Sequence, residues 1–377
     1  MKIIIAPDSF KGSLSAPAAA RAIALGLSRV WPEAECRLYP LADGGEGTVE
    51  TLIGLTGGQL VVEEVLDPLG RPVEAAWGLL GDGLTAVVEV ASACGLTRLE
   101  PGELDPARAS SYGVGQQIRQ ALGRGVKKLV VGLGGSATND AGAGMLSALG
   151  LKFFDQEGRL LPPGGLALAR LGAIDASELM PELGAVSIVA ATDVQNPLTG
   201  ACGASAVFGP QKGVAQELVE SFDLALGRFA AVSAALTGRE AADKPGAGAA
   251  GGLGAAFMFF TEARFQPGIE FVLAEGRFRE KAAGASLIIT GEGSSDGQTI
   301  WGKAPVGVAA LGRELGIPTV CLSGSLGPGY QKMYASDIAA VMSMLPSPMG
   351  LGEAMARAEE LLEDAAERLG RLLAVRL

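Results

Sequence analysis

KKLVVGLGGSATNDAGAGMLSALGLKFF, residues 127–154, decides how this chain folds. An apolar run, KKLVV, meets a glycine-rich turn without a basic residue, GLGGSATNDAGAGM at 132–145, and a helical pattern follows in MLSALGLKFF. A strand, a glycine turn and a helix in that order are the repeating step of an α/β sheet. Glycine lets backbone amides approach a ligand closely and tolerates positive φ. Ser136, Thr138, Asn139 and Asp140 add hydroxyl, amide and carboxylate groups to the same turn. Amides at a helix start favour an anion, and Asp140 reads either as a helix cap or as a cation ligand. The turn reads as a phosphate or carboxylate site with an acid beside it.

The same step recurs on both sides. APDSFKGSL (6–14) follows KIII, and PLADGGEGT (40–48) follows CRLY. ATDVQNPLTG (191–200) follows VSIVA, GASAVFGPQKG (203–213) comes soon after, and TGEGSSDGQTIWGKAP (290–305) follows SLII. Ligands in open α/β sheets bind beyond the carboxyl ends of strands, where such turns sit. Several turns of this kind, most carrying a carboxylate, point to a shared polar cleft.

Composition narrows the chemistry. The chain has 377 residues, enough for two domains at roughly 150 residues each. Hydrophobic residues make up 48%, so large cores are available. Glycine, at 56 residues, is about twice its usual share and falls largely in the turns. A net charge of −11 argues against nucleic acid and anionic membranes as partners, while a few lysines or a metal can still hold small anions. The weakly polar run at 246–260 is too short for a membrane span, and Asp8 comes too early for a signal peptide. Cys36, Cys94, Cys202 and Cys321 are scattered without metal spacing, so a reduced cytoplasmic protein is expected. Whether it forms a homo-oligomer the sequence leaves open.

Histidine is absent, which removes Ser-His-Asp and Cys-His hydrolases and every His-ligated metal site. A proton acceptor must be Asp or Glu, or less often Lys, Tyr or Cys. A divalent metal would have oxygen ligands only, which favours Mg²⁺ or Mn²⁺. Phosphoryl transfer suits these limits, since it relies on positioning and electrostatics.

Periodicity predicts an opening β-turn-α unit, a second strand in ECRLYPL, and a helix from VETLIGL. QLVVEEVL, VEAAWGLL and LTAVVEVA, separated by DPLGRP and GDG, predict an antiparallel meander. Long amphipathic helices are expected over QELVESFDLALGRFAAVSAAL, IEFVLAEGRFREKAAG and LGEAMARAEELLEDAAERLGRLLAV. The terminal segments together give about five parallel strands. The expected architecture is therefore a discontinuous, doubly wound (Rossmann- or flavodoxin-like) domain at 1–60 plus 285–377, interrupted by an inserted mixed α/β domain at 61–284. Turns from both domains can serve one site only across a cleft between them.

Three near-matches to nucleotide motifs fall short. GQTIWGKA (297–304) has the spacing of a P-loop but ends in Ala304 where a metal-binding hydroxyl is needed. Gly132, Gly134 and Ala137 fit the relaxed dinucleotide fingerprint without the acid that should end a second strand. Gly246, Gly248 and Gly251 fit by spacing only and read as a flexible small-residue loop entering a helix. Among the acids, Asp8, Asp43 and Asp193 end strands, where a plain N-cap is the rival explanation. Glu46 and Glu292 are poor caps. Glu89, inside VVEVA, must face solvent or serve the cleft, because burying it unpartnered is costly. Lys11, Lys212 and Lys303 lie inside glycine turns and read as anion ligands.

Together the six turns resemble the bacterial glycerate kinase family of the type that makes 2-phosphoglycerate. The likeness runs from APDSFKGSL through PLADGGEGT, GLGGSATND, DVQNPL and GASAVFGPQKG to GEGSSDGQTIWGKAP, essentially the whole chain. It implies a two-domain α/β enzyme that phosphorylates D-glycerate on its 2-hydroxyl with ATP and Mg²⁺. On that likeness Asp193, Asp8 and Asp43 are candidate bases or metal ligands. Lys11, Ser9 and the amides of Gly12 and Ser13 would bind anionic oxygen, as would Lys212 and Lys303. Gly44 and Gly45, with Gly134, Gly135, Ser136, Thr138 and Asn139, would cradle phosphate or the glycerate carboxylate. Asp43, Glu46, Glu292 and Asp296 would hold the metal. Two positions depart from the family: Ser294 stands where an Arg is common and Trp301 where a His is common. The rival readings are a kinase for the 3-hydroxyl or another small hydroxy acid, and a non-catalytic regulator that binds nucleotide or sugar acid.

Overall fold

The computed structural model describes residues 1–42, 44–45, 47–300 and 303–375. Its thirteen strands are β1 (Lys2–Pro7), β2 (Glu35–Leu38), β3 (Gln59–Leu66), β4 (Pro72–Leu79), β5 (Thr85–Glu89), β6 (Lys128–Gly132) and β7 (Lys152–Asp155). They continue as β8 (Leu171–Asp175), β9 (Ser187–Ala191), β10 (Arg264–Gln266), β11 (Leu287–Ser295), β12 (Thr319–Leu326) and β13 (Ile338–Ser343). The chain divides into two compact units, Met1–Asp43 with Ile269–Leu377, and Gly44–Gly268.

In the first unit five strands pair in the order β13-β12-β11-β1-β2, all parallel. The strands read as continuous apolar runs because both faces are covered. Ile3, Ile5, Leu287, Ile289, Val320 and Leu322 point into one core, with the helices Ala16–Ser28 and Ala358–Leu373. Cys321 packs into another core with Ala309 of the helix Ala304–Leu315. Helices on both faces make the sheet doubly wound. Counting only this unit's strands, the spatial order is 2-1-3-4-5, and the order reverses between β1 and β11. Ligands of such sheets bind at that reversal, beyond the carboxyl ends. The first long helix is capped by Ser15, whose hydroxyl accepts from the Ala18 amide, with Pro17 in its first turn.

The second unit has a six-stranded sheet, β10-β9-β6-β5-β4-β3. Strands β3, β4 and β5 form the antiparallel meander, and β5, β6, β9 and β10 run parallel. The meander turns carry their own chemistry: Asp67 Oδ1 accepts from the Leu69 and Arg71 amides, and Asp82 Oδ1 from the Leu84 and Thr85 amides. A small antiparallel pair, β7-β8, departs from the sequence pattern: KFF, expected within the helix of MLSALGLKFF, forms β7 after the helix ends at Ala148.

Two long periodic segments break where one helix was expected. IEFVLAEGRFREKAAG forms Gly268–Glu275 and Phe278–Ala282, separated at Arg277, whose φ is +56°. Tyr39 explains the break: its hydroxyl donates to Val272 O at 3.0 Å and fills the space a Cβ on Gly276 would need. The last segment likewise splits into Leu351–Ala356 and Ala358–Leu373 at Arg357. The unit boundaries differ from 60 and 284 for related reasons. Helix Thr48–Thr56 packs on β3, β4 and β5, and Phe278 stacks edge-on against Tyr39 at 4.9 Å.

Candidate active site

The register of each sheet places the motif turns in a row. In the first unit Pro7, Gly291, Leu322 and Met342 are level across β1, β11, β12 and β13. Asp8 and Glu292 therefore emerge side by side at the reversal, and the Asp8 amide donates to Gly291 O at 2.8 Å. Asp8 Oδ1 accepts from the Ser9 amide at 2.6 Å. Since the next helix begins at Ala16 under Ser15, Asp8 is not a helix cap. Lys11 and Gly12 are exposed, with Gly12 at φ +78°. Ser13 corrects the expectation placed on its backbone: its amide and its hydroxyl both donate to Phe10 O, at 2.8 and 2.9 Å.

Glu292 is also turned inward. Its Oε1 accepts from Ser295 Oγ at 2.7 Å and Thr299 Oγ1 at 2.8 Å, and Ser295 lies 2.6 Å from Ser323. Burial pushes the Glu292 carboxyl above its ordinary range, while the two hydroxyls and Lys303 pull it down. Lys303 Nζ sits 3.7 Å from Glu292 Oε2 and remains partly exposed at the start of helix Ala304–Leu315. Glu292 is thus an anchor for Lys303 and the turn rather than an outward-facing metal ligand. Asp296 is half-buried, its Oδ1 accepting from the Gln298 amide at 2.7 Å.

In the second unit Glu89, Gly132, Ala191 and Gln266 are level across β5, β6, β9 and β10. Glu89 is buried, and its Oε1 accepts from the Val49 amide at 2.6 Å, tying β5 to the helix that follows the GGEGT turn. Gly44 and Gly45 lie directly over β6. A Cβ on Gly132 would stand 2.3 Å from Gly44 O, and one on Gly134 would stand 3.0 Å from Gly45 Cα. Only glycine allows this approach. Asp193 is exposed two residues beyond β9, and the next helix, Ala204–Phe208, has Gly203 at its N-cap. The cap reading of Asp193 therefore fails. Asp43, Glu46 and Trp301 lie outside the described residues.

The 132–145 turn is held from four sides. Its Gly135 carbonyl accepts from Leu96 N at 2.9 Å, and Ala137 N donates to Cys94 O at 2.8 Å. Asn139 Nδ2 donates to Ser205 Oγ at 3.0 Å. Ala250, Gly251 and Gly252 adopt left-handed backbone, Gly251 O accepts from Ala141 N at 3.0 Å, and Ala141 itself has φ +51°. The stretch enters a helix, Ala249–Phe260, as expected, but it is buried and braces the turn, and two left-handed alanines mark stored strain there. Asp140 is fully enclosed. Its Oδ2 accepts from Ser111 N, Ser111 Oγ and Gly144 N at 2.9, 2.8 and 3.1 Å, and its Oδ1 from Gly142 N at 3.0 Å. Its carboxylate is spent inside the fold, on amides at the entry to helix Ala143–Ala148, whose N-cap is Gly142. Thr138 and Asn139 are fully buried, Ser136 keeps 4% exposure, and Gly134 and Gly135 beside it form the more accessible crest.

Lys212 is buried at 3% exposure, not solvated as an open anion ligand would be. Its ammonium donates to Ser136 Oγ at 2.8 Å and Thr138 O at 2.7 Å. Burial pulls its pKa down from 10.5 to about 7, against the opposing charge of Asp140. Between those two values the unfolded chain holds a proton that the folded chain has released, so stability should rise with pH across that window. Urea unfolding midpoints from pH 7 to pH 10 should climb in the wild type, and Lys212→Met should flatten the climb.

Among the described residues no three acidic or cysteine side chains gather as a ready metal cage. No helix among them is long and apolar enough to cross a membrane. The family model for the glycerate kinase family matches residues 3–374. This chain belongs to the glycerate kinase family. It is 45% identical over 367 residues to a glycerate kinase of Halalkalibacterium halodurans, covering 97% of each chain. It is 43% identical over 375 residues to the glycerate 2-kinase of Escherichia coli K12, covering 100% of this chain and 98% of that one. A crystal structure of a candidate glycerate kinase 2 from Salmonella typhimurium LT2 superposes with a TM-score of 0.88 at 44% identity, covering 99% and 98% of the two chains.

Family membership gives the two rows of turns their meaning, and it also shows which residues sequence reading missed. Ser111, Ser205 and Ser323 act from far along the chain, 29 residues from Asp140, 66 from Asn139 and 28 from Ser295, and no local signal marks them. Ser295 and Thr299 lie only 3 and 7 residues from Glu292, inside the same turn. Ser294, at the family's usual Arg position, is exposed and accepts from Ser325 Oγ at 3.1 Å.

Proposed function

We propose that the chain transfers the γ-phosphoryl group of ATP to the 2-hydroxyl of D-glycerate, giving 2-phosphoglycerate and ADP. The observation that carries this reading is the 43% identity, over nearly all of both chains, to a protein named glycerate 2-kinase. The geometry supports it, because acids, lysines and glycine turns line the carboxyl ends of the parallel strands in each sheet.

In this reading Asp193, with Asp8 and Asp43 as the alternatives, accepts the proton of the 2-hydroxyl as its oxygen bonds to the γ-phosphorus. The bond from that phosphorus to the β-bridging oxygen breaks, and ADP leaves. Lys11 and Lys303 neutralise anionic oxygens, and the crest at Gly134 and Gly135, with Gly44 and Gly45 beside it, receives a phosphate or the glycerate carboxylate. An all-oxygen donor set fits Mg²⁺, which takes one or two carboxylates together with substrate phosphates and water. Asp43, Glu46 and Asp296 are the proposed holders, with Glu292 left to its internal role. When bound, the ion would offset charge on the phosphate oxygens.

ADP release should require ATP, D-glycerate and Mg²⁺ together, and EDTA should abolish it. Nucleotide binding without turnover across a panel of small hydroxy acids would favour the regulator instead.

A further inference from the structure

Lys212 is the one lysine of the glycine turns that the structure encloses, and its contacts fix more than the backbone. An ammonium has three donors and no acceptor. In its bond to Ser136 the hydroxyl oxygen must therefore accept, and the Ser136 proton is left to point elsewhere. The second bond, to Thr138 O, fixes the ammonium against the same turn. Helix Ala204–Phe208 and the short 3₁₀ turn Pro210–Lys212 deliver the lysine, and Gly213, at φ +92°, turns the chain away at once. The negative charge of Asp140 opposes the effect of burial on Lys212.

We infer that Lys212 is a positioning residue that orients the Ser136 hydroxyl as a hydrogen-bond donor to an anionic oxygen of the substrates, either the glycerate carboxylate or a phosphate of ATP. The inference rests on the proposed kinase reading and sharpens it. Lys212 does not touch the ligand; it decides which way Ser136 faces. A charged amine leaves the Ser136 proton available to the ligand, whereas a neutral amine carries a lone pair that can draw that proton inward. With Lys212 titrating at about 7, anion affinity should weaken as the pH rises above neutrality.

The test is a double-mutant cycle on the full chain with Lys212→Met, Ser136→Ala and the pair. Dissociation constants for glycerate and for ATP are measured by calorimetry, with turnover recorded alongside. A hydrogen bond to a charged oxygen predicts about a tenfold loss or more for each single variant. The double variant should lose no more than either single one. The constant that moves, glycerate's or ATP's, identifies the anion. Ser136→Thr, which keeps a hydroxyl, should retain most of the affinity. Ser136→Ala should also remove the weakening of binding between pH 7 and 9, a readout that does not need Lys212→Met to fold. Additive losses, or unchanged constants in Ser136→Ala, would overturn the inference while leaving wild-type turnover intact. A wild type that binds both ligands yet transfers no phosphate would instead sink the kinase reading, and one that binds neither would sink both.

Discussion

Asp193→Asn should lower kcat with glycerate and ATP by about a hundredfold or more, the cost of losing a general base or a metal-binding carboxylate. The fold should stay intact, because Asp193 is exposed and caps no helix. The structure sharpens this test. Asp193 projects from the carboxyl end of β9, level with the glycine turn after β6, and no helix begins beside it. A cap role would have predicted about 1 kcal/mol of lost stability with little lost activity. Near-normal turnover would therefore move the base to Asp8 or Asp43, since the chain has no histidine to take over. The amide replacement keeps the shape of the side chain, so an effect on kcat reports the carboxylate itself.

Asp140→Ala should show the opposite pattern, with a stability loss of about 3–5 kcal/mol, the range for breaking a buried charged network. The substitution strands four donors, from Ser111, Gly142 and Gly144, in a site with 1% exposure. It also leaves Lys212 without its compensating charge. The Ser111 hydroxyl accepts from Met145 N at 2.9 Å as well, so the loss loosens the starts of helices Tyr112–Gly123 and Ala143–Ala148 together. Urea unfolding should show a lower midpoint with an unchanged slope. A midpoint within error of wild type would contradict the view that this acid is structural and would return it to the list of ligand-binding groups.

The sequence carried the strand-turn-helix rhythm because both sheets are largely parallel and their strands are unbroken apolar runs, as in KIII and SLII. The meander was equally clear, since Asp67 and Asp82 sit in turns whose chemistry is local. What stayed hidden depends on contacts distant along the chain. Nothing near Arg277 announces that Tyr39 will end a helix there. Nothing in GAGAAGGLG distinguishes a loose loop from a brace whose left-handed backbone locks onto Ala141. The turns themselves were legible as ligand sites, but the orientation of each side chain was not. Glu292, Lys212 and the Ser13 amide all face inward, to Ser295 and Thr299, to Ser136, and to Phe10 respectively. A glycine turn shows in sequence that polar groups gather; which of them are spent on holding the turn is a property of the packed fold.

The most direct measurement is the NMR spectrum of the product formed from D-glycerate, ATP and Mg²⁺. The expected spectrum shows phosphorus coupled to the single methine proton at carbon 2, with the carbon-3 methylene unphosphorylated. Phosphorus coupled to the two methylene protons would contradict the 2-hydroxyl assignment, and no phosphorylated glycerate at all would contradict the kinase.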